Sequence, residues 1–459
     1  MTSPHEYSQA NRADFLEQLK ALIRIPSIST YPENAGDVQR AAHWLAENML
    51  SAGLAAEVIP TAGHPIVYGE WLGAGADKPT VLIYGHYDVQ PAELEAGWHT
   101  DPFEPTDKDG VLYARGSSDD KGQMFAQLKA VESLLASDGK SPVNIKMVVE
   151  GEEEVSSLHL GEFIKANRAR LAADVAVISD TGILAPDQPS VVYSLRGLTY
   201  MELHVQGPAK DLHSGGFGGG VHNPAQALCE IVAALHNPDG SISVPGFYDD
   251  VLALSAEERA EMAKTDWSDE EWREVTGVPQ TWGEAEYTLR ERIGARPTLE
   301  INGLLSGFTG EGAKTVLPAK AMAKMSCRLV ANQNPRRIYE LVRDHVASLT
   351  PPTVTSEVRL LHTGEPAFVD LSTAAVQAAI AAYERGWGRR PVFVREGGSI
   401  PIVADFQREL DLPVILMGFG LDTDGAHGPD EHFRIDMFYR GIDTAIYFLQ
   451  EAASLEKTK

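Results

Sequence analysis

Short, continuous runs of apolar residues recur in the first and last parts of the chain. They occupy residues 81–84, 145–149, 175–178 and 414–417, and Lys146 is the one charged residue among them. A strand whose two faces are both covered shows such runs rather than alternation, and this is typical of a parallel sheet. Helical patterns at 121–136 and 158–171 separate the first three runs. The order strand, helix, strand therefore predicts parallel strands joined by crossover helices.

The middle of the chain has a different pattern. Residues 191–207 and 298–330 alternate apolar with polar side chains, as half-exposed antiparallel strands do. Helical patterns at 224–236 and 335–349 interleave with them and predict the β-α-β-β-α-β order of a ferredoxin-like module. After residue 365 the first pattern returns. We therefore predict an α/β fold with a mostly parallel-sheet domain formed by residues 1–193 and 366–459, and an inserted α+β ferredoxin-like domain formed by residues 194–365.

A further acidic insert, at about residues 239–296, interrupts the ferredoxin-like order. It carries Trp267, Trp272 and Trp282. We expect a helical elaboration that packs its own tryptophans, and a role in capping a substrate remains an open alternative.

Composition excludes several classes of protein. The 459 residues include 39 Lys and Arg against 65 Asp and Glu, a net charge of −26 that disfavours nucleic acid and anionic membranes as partners. The two cysteines, Cys229 and Cys327, predict neither a disulfide framework nor a cysteine metal site. Residues 1–20 contain no apolar signal core, and no run is long enough to span a bilayer. We expect a cytoplasmic enzyme.

Metal-binding side chains follow the apolar runs. The clusters are Gly85 to Asp88, Ser118 to Gly122, Glu152 to Glu154, Ser179 with Asp180, and Gly425 to His427. Since the carboxyl ends of parallel strands meet at one edge of a sheet, these clusters should converge. Neutral imidazoles combined with carboxylates suit zinc, manganese or cobalt, and two such ions can share a water and polarise a carbonyl. The sequence thus predicts a two-metal hydrolytic centre.

Three motifs sharpen this interpretation. They are GSSDDKG at 116–122, DLHSGG at 211–216 and REGGSIP at 395–401. With them, the chain resembles the dizinc aminoacylase/carnosinase family of metallopeptidases, in its cytosolic dipeptidase branch, from Ile25 to the region of His427. The resemblance implies two divalent ions per subunit, zinc first with manganese or cobalt as alternatives, and a homodimer formed through the inserted lid/dimerisation domain. It also implies that the parallel-sheet domain holds the metals.

The resemblance assigns ligands by position. One metal takes His86 and Asp180, and the other takes Glu154 and His427. Asp119 bridges the two ions, and a cis peptide is implied between Asp119 and Asp120. The assignment of Glu154 depends on how the three consecutive glutamates, residues 152–154, are aligned with the family's motif.

Further roles follow from the same resemblance. Asp88 orients a ligand imidazole, and Glu153 is the general base for a metal-bridged water that attacks a peptide bond. A one-residue slip, which would make Glu152 the base and Glu153 the ligand, stays open. His213, from the opposite subunit of the dimer, assists at the oxyanion. The expected substrate is a dipeptide or short peptide with a free C-terminal carboxylate.

Two features suit that carboxylate. Arg328 lies on a predicted strand, and its guanidinium can donate two parallel hydrogen bonds to a carboxylate. The alternative is that Arg328 is a surface arginine paired with an acid. Backbone amides around Gly398 and Ser399 are further candidates. Two other functions stay open: an N-acyl-amino-acid amidohydrolase, and a non-catalytic metal-binding scaffold, against which the base Glu153 argues.

Overall fold

The computed structural model describes residues 2–265, 267–398 and 400–457, and the chain forms two compact units. The first unit comprises Met1–Tyr193, Val369–Phe393 and Ile402–Lys459, and the second comprises Ser194–Phe368 and Val394–Pro401. Residues 366–368 and 394–401, which the sequence pattern groups with the first domain, belong to the second unit.

The strands of the described residues are numbered in chain order. They are β1 Ala55–Ile59, β2 Ile66–Trp71, β3 Thr80–His86, β4 Thr106–Lys108, β5 Val111–Tyr113, β6 Asn144–Glu150, β7 Val175–Ile178, β8 Gly182–Ile183, β9 Ser190–Leu195, β10 Gly197–Gln206, β11 Leu212–His213, β12 Thr298–Ser306, β13 Val316–Leu317, β14 Lys320–Leu329, β15 Thr355–Gly364, β16 Ala367–Phe368, β17 Val392–Glu396, β18 Val414–Leu416, β19 Gly420–Leu421 and β20 His432–Arg434.

The α-helices are numbered in the same way. They are α1 Pro4–Ala10, α2 Arg12–Ile23, α3 Ala35–Ser51, α4 Lys121–Asp138, α5 Leu160–Ala166, α6 Arg168–Leu171, α7 Ser214–Phe217, α8 Pro224–Ala233, α9 Ala256–Met262, α10 Asp269–Thr276, α11 Leu289–Gly294, α12 Pro335–Leu349, α13 Ala374–Trp387, α14 Pro401–Leu410 and α15 Ile435–Glu451.

A large sheet forms the centre of the first unit. Its strand order runs β1, β2, β6, β3, β7, β18, β9. The central ladders β6–β3, β3–β7 and β7–β18 are parallel, whereas β1, β2 and β9 add antiparallel edges. Every residue of β3, β6, β7 and β18 is buried, which explains why these strands appear in the sequence as mainly apolar runs, with Lys146 of β6 as the one charged residue inside a run. The predicted α/β fold class is confirmed.

Crossover helices bring the carboxyl ends of the central strands to one edge of this sheet. Helix α4 connects the neighbouring strands β3 and β6, and helices α5 and α6 lead from β6 to β7. Helix α4 begins after Asp120, whose carboxylate does not cap the helix but accepts a hydrogen bond from the backbone N–H of His86 at 3.2 Å. The start of α4 is thereby attached to the end of β3.

The second unit is a four-stranded antiparallel sheet with the order β12, β14, β10, β15. Helices α8 and α12 pack on one face of this sheet and share a hydrophobic core with it. The β-α-β-β-α-β order predicted from the sequence is therefore present. The alternating pattern at 191–207 nevertheless divides into two strands, because β9 pairs within the large sheet and β10 starts the ferredoxin-like module.

The acidic insert carries three short helices, α9, α10 and α11. Trp267 and Trp272 pack edge to face with ring centroids 5.8 Å apart, whereas Trp282 is 75% exposed. The expected packing of the tryptophans thus holds for the first two only. Among the described residues, no helix combines the length and the apolar character that crossing a membrane requires.

Candidate metal centre

His86 is the last residue of β3, and its ring is completely buried. Its Nδ1 lies 3.1 Å from the backbone carbonyl of Asp88 and 3.5 Å from the carboxylate of the same residue. Both groups accept hydrogen bonds, so the proton of a neutral ring belongs on Nδ1. The lone pair of Nε2 is then directed to Asp119, whose Oδ1 lies 3.1 Å away.

The carboxylate of Asp119 lies between two imidazoles. Its Oδ1 is near His86, and its Oδ2 lies 3.0 Å from Nε2 of His427. The same His427 nitrogen is 3.2 Å from Oε2 of Glu154, and Nε2 of His86 is 3.9 Å from Oδ2 of Asp180. The peptide bond between Asp119 and Asp120 is cis, as the resemblance implies.

These side chains form two groups that share Asp119. His86, Asp119 and Asp180 form one group, and Asp119, Glu154 and His427 form the other; within each, the ligand atoms lie within 4.8 Å of one another. Ligand bonds of about 2.0–2.1 Å in a tetrahedral zinc site place neighbouring ligand atoms about 3.3 Å apart. The separations of 3.0–3.9 Å are close to that value. The donor set therefore fits a pair of divalent ions.

The crowding of acids points to cations as well. Burial raises the pKa of Asp180 to about 7, and the nearby charges of Asp119 and Glu154 add to the increase. Burial likewise raises the pKa of Glu153 to about 9, with Asp180 and Glu154 contributing in the same direction. Carboxylates that repel one another in this way ionise together only if positive charge is placed among them.

The contacts between Asp119 and the two histidines lower the pKa of Asp119 and raise the pKa of His427. Burial acts to raise the pKa of Asp119, but hydrogen bonds from His427 and His86 in their protonated, imidazolium forms outweigh burial and hold it below its ordinary value. Hydrogen bonds to Asp119 and Glu154 raise the pKa of His427 to about 10. A metal ion would occupy the place of the proton that these partners favour.

Asp88 holds the turn that carries the glutamates. Its Oδ1 accepts a hydrogen bond from the backbone N–H of Glu153 at 3.2 Å, and its Oδ2 accepts one from Glu154 at 3.1 Å. Glu152 is directed elsewhere, because its carboxylate binds Nδ1 of His159 at 2.8 Å and the backbone N–H of His64 at 3.1 Å. Glu154 rather than Glu152 thus lies beside His427.

Sequence reasoning assigned no role to two residues of this centre. Nε2 of Gln90 donates to Oε2 of Glu154 at 2.7 Å. Its signal was present, because Gln90 follows His86 and Asp88 at intervals of two residues, and alternate residues of an extended segment project to the same side. Glu150 is buried at the end of β6 and accepts hydrogen bonds from the hydroxyls of Tyr84 and Ser157 at 2.5 Å and 2.8 Å. No local pattern separates it from the glutamates that follow.

A cavity of about 440 Å³ adjoins the centre within the first unit. Asp119 and Asp180 line it together with Gly182, Leu421 and Ala426. A small ligand bound at this centre would need such space beside the shared carboxylate of Asp119.

The remaining predicted site residues lie in the second unit. Nδ1 of His213 accepts the backbone N–H of Gly215 at 2.9 Å, so a neutral His213 ring carries its proton on Nε2 as a donor. Arg328, on β14, lines a cavity of about 740 Å³ within that unit. The carbonyl of Gly398 accepts the backbone N–H of Arg196 at 2.9 Å. Ser399 lies outside the described residues.

Comparisons with known proteins add to the geometry. The model of peptidase family M20/M25/M40 matches residues 82–451. The Cys-Gly metallodipeptidase dug1 of Schizosaccharomyces pombe is 35% identical, with 98% of each chain covered. The human Beta-Ala-His dipeptidase is 30% identical over 98% of this chain and 92% of that protein. A solved structure, an M20 family metallo-carboxypeptidase from Sulfolobus solfataricus, is similar with a TM-score of 0.85 and 32% identity, over 96% of this chain and 99% of that one.

Proposed function

The chain belongs to peptidase family M20/M25/M40, and on this premise we propose that it uses two Zn²⁺ ions per subunit to hydrolyse dipeptides and short peptides with a free C-terminal carboxylate. The resemblance seen in the three sequence motifs is confirmed at the level of the family. The activities for which the relatives are named, on Cys-Gly and Beta-Ala-His, make dipeptides the first substrate class to test.

One observation carries the proposal: the two oxygens of Asp119 face two different imidazoles, each of which has a further carboxylate beside it. A carboxylate in that position can serve two ions at once. We assign His86, Asp119 and Asp180 to one ion, and Asp119, Glu154 and His427 to the other. Manganese and cobalt would accept the same nitrogen and oxygen donors and remain alternatives.

When bound, the two ions supply a water of lowered pKa and Lewis acidity for the scissile carbonyl. Glu153 is the proposed proton carrier, because it is the one acid of the turn that neither the ligand set nor the Glu152–His159 contact uses. Divalent charge at the neighbouring ligands would lower the raised pKa of Glu153, and the ionised carboxylate could then accept a proton from the attacking water. The same carboxyl group then donates that proton to the leaving amine. Asp88 orients both the His86 ring and the Glu153 backbone.

Residues of the second unit are proposed to recognise the substrate. Arg328 presents two parallel N–H donors to the C-terminal carboxylate, and backbone amides near Gly398 and Ser399 supplement it. His213 keeps a donor on Nε2, which suits a developing oxyanion. These roles make the second unit the lid, and the first unit the metal-binding domain.

We further propose a homodimer formed through the second unit, with His213 acting in the opposite subunit, and a cytoplasmic location. The net charge of −26 supports a metal-dependent enzyme that acts on small substrates rather than on nucleic acid.

Matched substrates test the proposal. Zn²⁺-loaded protein should hydrolyse Cys-Gly and Ala-Gly, whereas N-acetylglycine should be a poor substrate and amidation of the dipeptide C-terminus should abolish turnover. Metal-free protein and the Glu153→Gln variant are the controls. Preferred cleavage of N-acetyl amino acids would favour the deacylase instead, and two bound metal equivalents without hydrolysis of either class would favour the scaffold.

A further inference from the structure

Glu431 is a completely buried acid close to the proposed metal ligands, and none of the functions above uses it. Its carboxylate accepts four hydrogen bonds. Oε2 accepts from a guanidinium nitrogen of Arg115 at 2.7 Å and from the backbone N–H of Gly116 at 2.9 Å. Oε1 accepts from the backbone N–H groups of Ser118 and Asp119 at 2.9 Å and 3.0 Å. Three amides of the loop that ends at Asp119 thus converge on one carboxylate.

Strand pairing sets the position of this acid. Glu431 immediately precedes β20, which pairs antiparallel with β5, and its carbonyl accepts the backbone N–H of Ala114 at 3.0 Å. Arg115 follows β5 and is 2% exposed. A second nitrogen of its guanidinium donates to the carbonyl of Gly428, next to His427, at 3.0 Å.

Arg115 and Glu431 therefore connect two loops that are far apart in sequence. One loop carries Asp119, and the other carries His427 in a left-handed conformation with φ of 62°. Neither loop lies within a helix or a long strand that would hold it independently. Metal ligands on separate loops bind tightly only if the loops are ordered before the ion arrives.

We propose that Arg115 and Glu431 are positioning residues, which hold Asp119 and His427 at the separation that a shared metal pair requires. The inference rests on the ligand roles under Proposed function. Both residues act through the backbone of their neighbours and touch neither substrate nor metal. The competing explanation is an ion pair that stabilises the fold without any specific effect on the metals.

Two variants separate these explanations. Arg115→Lys keeps the positive charge beside Glu431 but loses the fork that also reaches Gly428. Glu431→Gln keeps the shape but turns an NH₂ group toward donors. We expect each variant to bind Zn²⁺ about 10- to 100-fold more weakly, as found for residues that orient ligands. At saturating Zn²⁺, kcat should fall with little change in KM, and the visible spectrum of the Co²⁺ form should change.

Lys129→Met is the matched control. Lys129 is 1% exposed and pairs with Glu132 at 2.6 Å in the same unit, without contact to the proposed ligands. This variant should lower the thermal midpoint while leaving the affinity for Zn²⁺ and the Co²⁺ spectrum unchanged. The positioning role is rejected if Arg115→Lys or Glu431→Gln folds and binds two Zn²⁺ equivalents with wild-type affinity and wild-type kcat.

Hydrogen exchange on the unmodified chain gives a second test that does not depend on any variant folding. The amide protons of Gly116, Ser118 and Asp119 should stay protected in full-length protein stripped of metal, because Glu431 accepts them without an ion. Protection that arises only when Zn²⁺ is added would overturn the inference. Failure of wild-type protein to bind two Zn²⁺ ions or to cleave dipeptides would instead reject the proposed function, so the two failures can be told apart.

Discussion

Replacing Asp88 with asparagine is expected to weaken metal binding and slow hydrolysis, although Asp88 is not a proposed ligand. The side chain is completely buried, and its two oxygens accept the backbone N–H groups of Glu153 and Glu154 at 3.2 Å and 3.1 Å. Asparagine keeps one oxygen, but its NH₂ group is itself a donor. One of the two backbone N–H groups therefore loses its acceptor in a partly buried site.

The size of the effect follows from that single lost contact. A hydrogen bond to a charged group contributes about 1.5–3 kcal/mol. Since about 1.4 kcal/mol corresponds to a factor of ten, the loss corresponds to about 10- to 150-fold in metal affinity if the turn must be reordered when the ion binds. The substitution also weakens the contact between Asp88 and the His86 ring, which lowers the metal affinity further. The range is therefore a minimum for a site in which metal binding and ordering of the turn are fully coupled.

The assay is competition between the protein and a chromogenic chelator for Zn²⁺, followed by kcat and KM on Ala-Gly at saturating metal. Asp174→Asn is the matched control. Oδ2 of Asp174 accepts the backbone N–H of Thr80 at 2.7 Å at the opposite end of β3, so this variant also weakens a carboxylate–backbone contact of that strand. It should lower thermal stability without changing Zn²⁺ affinity. Wild-type affinity and turnover in folded Asp88→Asn protein would refute the reasoning.

Three further outcomes are expected. Asp119→Ala should lose bound metal and hydrolysis together, because both ions lose a ligand; two full equivalents in the purified variant would contradict this. Glu153→Gln should keep its metal while turnover falls at least about a hundredfold, and if Glu152→Gln behaves in this way instead, the proposed register is off by one. Mixing His213→Ala subunits with Glu153→Gln subunits should restore roughly a quarter of wild-type activity, since random pairing makes half the dimers hybrid with one intact site. Verified subunit exchange without recovery would exclude a role for His213 across the dimer.

Local patterns were sufficient for the architecture. Strands β3, β6, β7 and β18 are buried along their whole length, and their central residues are apolar except for Lys146 of β6, whose Nζ donates to the carbonyl of Ala172 at 2.7 Å. Parallel strands joined by helices place their carboxyl ends together whatever the details of the side chains. The convergence of His86, Asp119 and Asp180 could therefore be expected from the order of the strands and helices along the chain.

Local patterns could not predict which glutamate faces which histidine, or which distant strands pair. Glu152, Glu153 and Glu154 are chemically identical, and the short 3₁₀ turn after β6 determines which acid faces His427 and which faces His159. The break between β9 and β10 was hidden because only one residue, Arg196, separates the two strands.

The contacts of Glu431 show most clearly where sequence information ends. An acid four residues after His427 looks like part of a solvated loop, yet pairing between β5 and β20 buries it against backbone amides from residues 116–119. Apolar periodicity is a property of neighbours along the chain, so the chain alone specifies which segments are strands and helices and where their ends meet. The partner of a buried charge depends on the path of distant backbone, and that path exists only once the strands have paired.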